Sequence, residues 1–139
     1  MNWLLPAQTL LDLIAGQPTP AQTWAGPIDL QTLRVSVVSI AQARAEIMRV
    51  SDVGQRMRSE ADLSSFLAQL EADAGPPLPF IHAHASVWAA LMHEPTIAGV
   101  PQTDRQVYAT AMHEGLTVVE TAKPPTGALQ QLGVLIHVI

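Results

Sequence analysis

The sequence predicts an α/β fold: a mostly parallel sheet covered by helices on both faces. Short apolar or β-branched runs occur at residues 2–5, 34–40, 116–119 and 133–139. Helical patterns separate the first three of these runs, and parallel strands need such crossovers, which lay helices over both faces. The length of 139 residues suits one domain over 1–139 and is short for two.

The first run, residues 2–5, is apolar and stops at Pro6. Leu10, Leu11, Leu13 and Ile14 then cluster without alternating and Gly16 follows, the pattern of a helix closed by a glycine. Pro18, Pro20 and Pro27 make residues 17–31 a loop, with at most one helical turn around Trp24. Residues 34–40, Arg-Val-Ser-Val-Val-Ser-Ile, read as a strand, and Ser39 with Gln42 has the spacing of a capping box for a helix reaching about Val50. Leu63, Phe66, Leu67 and Leu70 at i, i+3, i+4 and i+7 mark a helix over 59–73, ended by Gly75-Pro76-Pro77. Ile81, Ala85, Trp88 and Met92 share one face of the next helix, which ends near His93. Residues 94–102 form a loop, and Thr103 with Gln106 opens a helix to His113 with Gly115 as its stop. Two strands follow, at 116–119 and 133–139, joined by a loop.

Composition narrows the function classes. Apolar residues make up 48% and charged residues 14%, which rules out a disordered tail and implies an ample core or an apolar face that meets a partner, such as a second copy of the chain. The net charge of −5 repels phosphate backbones in general, although Arg44, Arg49, Arg56 and Arg58 fall close enough together to build a local basic groove. Without cysteine there is no thiol chemistry or disulfide. The apolar start lacks a basic leader and contains Asp12, so no cleaved signal is expected; no run approaches the ~20 apolar residues of a membrane span. The expectation is a soluble cytoplasmic protein with no membrane contact.

Three segments carry a resemblance. Gly99-Val-Pro-Gln-Thr-Asp104-Arg-Gln-Val-Tyr-Ala-Thr-Ala-Met-His-Glu-Gly-Leu-Thr-Val-Val119 resembles the late motif of PIN domains, in which an aspartate opens a helix D-x-x-I-A-A-T-A followed by x-x-G-L-T-L-V. Val35-Ser-Val-Val-Ser-Ile-Ala-Gln42-Ala-Arg44 resembles their I-S-x-I-T-x-x-E-L-R, and Leu4-Leu5-Pro6-Ala7-Gln8-Thr9-Leu10 stands where they carry L-L-D-T-N-x-L. Leu132-Gly133-Val134 is similar to their closing strand. The likeness runs the length of the chain in order.

The resemblance implies a three-layer α/β/α sandwich, often dimeric. It also implies three or four carboxylates at the carboxyl ends of the strands, holding Mg²⁺ or Mn²⁺ for RNA hydrolysis. Many small bacterial members are VapC-type toxins neutralised by an antitoxin. Carried over by position, the first aspartate falls on Pro6, the glutamate on Gln42, the third acid on Asp104 and the fourth near Ala122, between Thr121 and Lys123. Asp104 is thus the one family acid retained, a vestigial weak metal ligand at best. Mg²⁺ relies on carboxylate charge, so a single retained acid implies no resident metal and impaired catalysis. Two acids are candidate substitutes: Glu120, which closes the strand at 116–119, and Glu46, four residues beyond Gln42 and about 6 Å along the same helical face. If they rebuild the site, the protein is an active Mg²⁺- or Mn²⁺-dependent ribonuclease.

Each candidate has a plainer role as well. Asp104 at a helix start stabilises the helix dipole by ~0.3–1 kcal/mol without a metal. Gln42 can close a capping box as an amide, and Glu46 and Glu120 can be solvated. His82 and His84 are two apart, on different faces of a helix, so a metal site there needs distant ligands; His113-Glu114 lacks the second histidine of a zinc-protease helix, since position 117 is Thr117. No histidine metal site is expected. Trp24, Trp88 and Tyr108 have the spacing of core residues rather than of a base-stacking platform. The favoured reading is a PIN-like protein that binds rather than cuts, or a remnant of a toxin–antitoxin system, with a homodimer and an antitoxin-like protein as its partners and RNA unassigned. The rivals are the active ribonuclease and a subunit whose fold serves only assembly.

Overall fold

The three-residue strand β1, Trp3–Leu5, is the hub of the sheet. A computed structural model describes residues 1–121 and 124–139. In it β1 pairs in parallel with β2 (Leu33–Val35) on one side and β3 (Thr117–Glu120) on the other, and β4 (Leu135–Val138) extends the sheet beyond β3. The order is β2-β1-β3-β4, so the strands predicted at the middle and late part of the chain both flank the first, as expected.

Successive side chains on a strand point to opposite faces, and here both faces are apolar. Leu4 and Val118 face a core built with Val107, Tyr108, Leu91 and Leu129. Leu5, Val35 and Val119 face a second core with Leu10, Ala43, Ile47 and Leu63. The helices divide accordingly. On the second face lie α1 (Ala7–Leu13), α3 (Val37–Met48) and α4 (Val53–Ala74); on the first lie α5 (His82–Met92), α6 (Gln102–Glu114) and α7 (Thr126–Gln131). The short α2 (Pro20–Ala25) packs against α1, and Trp24 meets Trp3 edge-on at 5.3 Å. The result is an α/β/α sandwich.

Several boundaries differ from the sequence reading. The β-branched run at 34–40 does not remain a strand: β2 ends at Val35 and α3 begins at Val37. Ser36, not Ser39, is the cap, accepting the N–H of Val38 at 3.1 Å. Val37, Val38 and Ile40 are therefore helical: Val38 and Ile40 pack against the two cores, which outweighs their modest β preference, while Val37 stays exposed in the first turn. The stretch 17–31 holds α2, six residues opened by Thr19 as cap and Pro20 at its first position, and a 3₁₀ turn at Leu30–Thr32. α4 starts six residues early, where Asp52 accepts the N–H of Gln55 at 2.9 Å; its first turns expose Val53 and Met57 and so lack the apolar period that marks 63–70. α6 begins at Gln102 after Pro101 with no side-chain cap, so Thr103 and Gln106 form no capping box. The loop expected between the last two strands contains α7. Among the described residues, no helix is long and apolar enough to cross a membrane.

Candidate functional site: an acidic cleft at the carboxyl ends of the strands

Adjacent parallel strands whose following segments leave for opposite faces open a crevice at their carboxyl ends. β1 leads into α1 on one face, while the chain beyond β3 reaches α7 on the other. A cleft of about 350 Å³ lies at this end of the sheet, lined by Pro6, Gln42, Glu46, Asp104, Tyr108 and Glu120 among others. Local structure places each of them. Pro6 follows β1 directly and precedes α1. Gln42 and Glu46 occupy successive turns of α3, Asp104 the first turn of α6 and Tyr108 the next, and Glu120 closes β3. The Thr9 hydroxyl donates to the Val119 carbonyl at 2.6 Å and ties α1 to the end of β3 beside Glu120.

Each cleft acid is held by a donor from its own chain. The Gln42 amide nitrogen, Nε2, donates to Asp104 Oδ1 and to Thr103 Oγ1, both at 2.9 Å. The Tyr108 hydroxyl donates to Glu120 Oε1 at 2.6 Å. Arg49 donates to Glu46 Oε1 at 3.3 Å across an exposed turn. Glu120 is only 7% exposed. Burial raises its pKa, the Tyr108 hydrogen bond pulls it back down in part, and the nearby Asp104 carboxylate adds a further rise. Burial, the Glu120 charge and hydrogen bond and then Asp104 push the Tyr108 hydroxyl far above its ordinary value, so it remains a donor at any physiological pH.

The cleft thus gathers Asp104, Gln42, Glu46 and Glu120, the four residues singled out in the sequence. Ser39 is not part of it: it is fully buried one turn before Gln42, its hydroxyl without a hydrogen-bond partner. Ala122 and Lys123, at the fourth acid position, lie outside the described residues. What the sequence did not foretell is Tyr108 as the partner of Glu120. Its signal was the i+4 spacing from Asp104, which sets both side chains on one helical face.

The donor set fits a resident Mg²⁺ or Mn²⁺ poorly. Pro6 offers no side-chain oxygen, and Gln42 spends its amide as a donor on Asp104. Among the described residues, the acids of the cleft do not bring three ligand atoms within 4.8 Å of one another. Mg²⁺ requires near-ideal octahedral placement of hard oxygen ligands, and a buried carboxyl that resists ionising gives up part of the charge the ion needs.

The other sequence candidates fall elsewhere. Of the four arginines proposed for a basic groove, Arg44 pairs with Glu60 and Arg49 with Glu46, while Arg56 donates to the Val50 carbonyl. Trp24 and Trp88 pack against the two cores as expected of core aromatics, and Tyr108 is buried. The histidines depart from expectation: His84 is buried, and it meets both His113 and Glu114.

No family model and no curated protein matches the chain. Solved structures do match, and they share its PIN-like α/β/α fold. FitAcB from Neisseria gonorrhoeae superposes with a TM-score of 0.78 at 20% identity, over 96% of this chain and 95% of that one. DNA-bound VapBC from Salmonella typhimurium gives 0.78 at 16% identity, over 99% and 98%. VapBC-5 from Mycobacterium tuberculosis, a member of the VapBC family of toxin–antitoxin systems, gives 0.66 at 21% identity, over 99% and 97%. Likeness at this level of identity establishes the fold.

Proposed function

We propose that the chain is a catalytically impaired, metal-independent PIN-like protein of a toxin–antitoxin type. It acts in the cytoplasm as a single domain, through binding rather than phosphodiester cleavage. The observation that carries this reading is the partnering of the cleft acids: Asp104 is bonded by Gln42 and Glu120 by Tyr108. Amide and phenol donors do there what a cation would otherwise do, relieving the repulsion between neighbouring carboxylates.

Its partners in this reading are a second copy and an antitoxin-like protein. The apolar residues Met48, Val53 and Met57 stand exposed where α3 passes into α4, and a partner segment would cover them. The likeness to FitAcB and to the VapBC structures supports a protein partner of this kind.

A second reading is favoured by one observation: Glu46, Asp104 and Glu120 line a single cleft. In that reading they form a relocated Mg²⁺- or Mn²⁺-dependent ribonuclease site. Rescue separates the two. The double variant Pro6→Asp with Gln42→Glu returns two carboxylates to the cleft, and it is expected to gain Mn²⁺-dependent cleavage of RNA that the parent lacks. Cleavage by the parent, abolished by Glu120→Gln, would establish the second reading instead.

A further inference from the structure

Away from the cleft, the antiparallel packing of α5 on α6 brings three metal-ligand side chains to one place. His84 sits in the first turn of α5 and is 1% exposed. Its Nε2 lies 2.9 Å from Oε1 of Glu114, in the last turn of α6. The neighbouring His113 ring stands edge-on to His84, with 5.0 Å between centroids. One ligand atom from each of the three lies within 4.8 Å of the other two.

We propose that His84, His113 and Glu114 form a binding site for a transition-metal dication of the Zn²⁺ class, independent of the acidic cleft. Two imidazoles and a carboxylate suit Zn²⁺ or Ni²⁺ rather than Mg²⁺, which prefers all-oxygen ligation. A tetrahedral ion with bonds of about 2.0–2.1 Å holds its ligand atoms about 3.3 Å apart. The required contraction is small, and it falls on His113 and Glu114, which are exposed and free to change rotamer. His84 is the buried member of the three.

The proton on His84 bears on affinity. Its Nδ1 accepts the N–H of Ile81 at 3.2 Å, so in the metal-free chain the ring proton sits on Nε2 and is donated to Glu114. A metal taking Nε2 moves that proton to Nδ1, where it faces the Ile81 N–H, and the first turn of α5 must ease open. Ligating histidines ordinarily donate their second N–H to an acceptor, and loss of such support weakens metal binding roughly 10–100-fold. The site is therefore a reversible clamp between α5 and α6, weaker than a structural zinc site.

The spacing of His84 from His113-Glu114 hides this site in the sequence, where no local ligand motif exists. Calorimetric titration of the full chain with ZnCl₂ tests it. One saturable site is expected, with His113→Ala and Glu114→Gln each weakening it at least tenfold; both positions are exposed, so the fold should persist. Asp104→Asn should leave the dissociation constant within twofold. The proposal is overturned by absence of saturable Zn²⁺ binding, by undiminished binding in His113→Ala, or by loss of binding in Asp104→Asn, which would put the ion in the cleft. His84→Ala is a poorer probe, because removing a fully buried ring leaves a cavity that destabilises by itself.

Discussion

Replacing Glu120 by glutamine removes a buried charge while keeping a carbonyl oxygen for the Tyr108 hydroxyl 2.6 Å away. The folded chain holds the Glu120 proton to a higher pH than the unfolded chain, whose carboxyl titrates near 4.5. Between that value and the raised folded value the native state binds more protons than the unfolded state, so this group makes stability fall as pH rises. Glutamine does not titrate and abolishes that loss. A tenfold difference in proton affinity between the two states is worth ~1.4 kcal/mol, which sets the scale. Glu120→Gln is expected to be more stable than the parent at pH 8 and level with it near pH 4. Urea denaturation at pH 4, 6 and 8, followed by circular dichroism, measures the difference. A variant less stable than the parent at pH 8 would refute the reasoning. It would mean that the ionised carboxylate is a net stabiliser, as expected if it served a bound cation.

Arg105, beside Asp104 on α6, is buried and donates to the carbonyls of Leu91, Met92, Ile97 and Val100, two of them in the last turn of α5. Arg105→Met strips donors from these carbonyls and is expected to cost about 3–5 kcal/mol in chemical denaturation; a loss under ~1 kcal/mol would show that water replaces the guanidinium. Sedimentation of the purified chain at tens of micromolar is expected to show a dimer, given the exposed Met48, Val53 and Met57. A clean monomer that also recovers no partner from cells would remove the case for a covered apolar face.

The architecture was legible because the strands are short, apolar and separated by long helical patterns; β1 and β3 fall within one or two residues of their expected bounds. β2 was overextended because Val37, Val38 and Ile40 carry a strand signature, which the core contacts of Val38 and Ile40 override. The start of α4 escaped notice because its first turns bury almost nothing and declare themselves only through Asp52 and Gln55. For the cleft, the position of Glu120 at a strand end foretold its place beside Asp104. The bonds from Gln42 to Asp104 and from Tyr108 to Glu120 were not legible, since the first joins residues 62 apart and both depend on how α3 and β3 meet α6. A separation of 30 residues likewise concealed His84 from Glu114.

The central claim is that own-chain donors have replaced the divalent cation in the cleft. Its most direct test is the melting temperature of a His113→Ala background, with and without millimolar Mg²⁺ or Mn²⁺. That background silences the α5–α6 cluster, so that only the cleft is read. Stabilisation by a ligand follows its concentration over its dissociation constant, so a cleft without a working site should shift by less than about 1 °C. A shift of several degrees, abolished by Asp104→Asn or Glu120→Gln, would contradict the account and show that Asp104, Glu46 and Glu120 compose a functioning metal site.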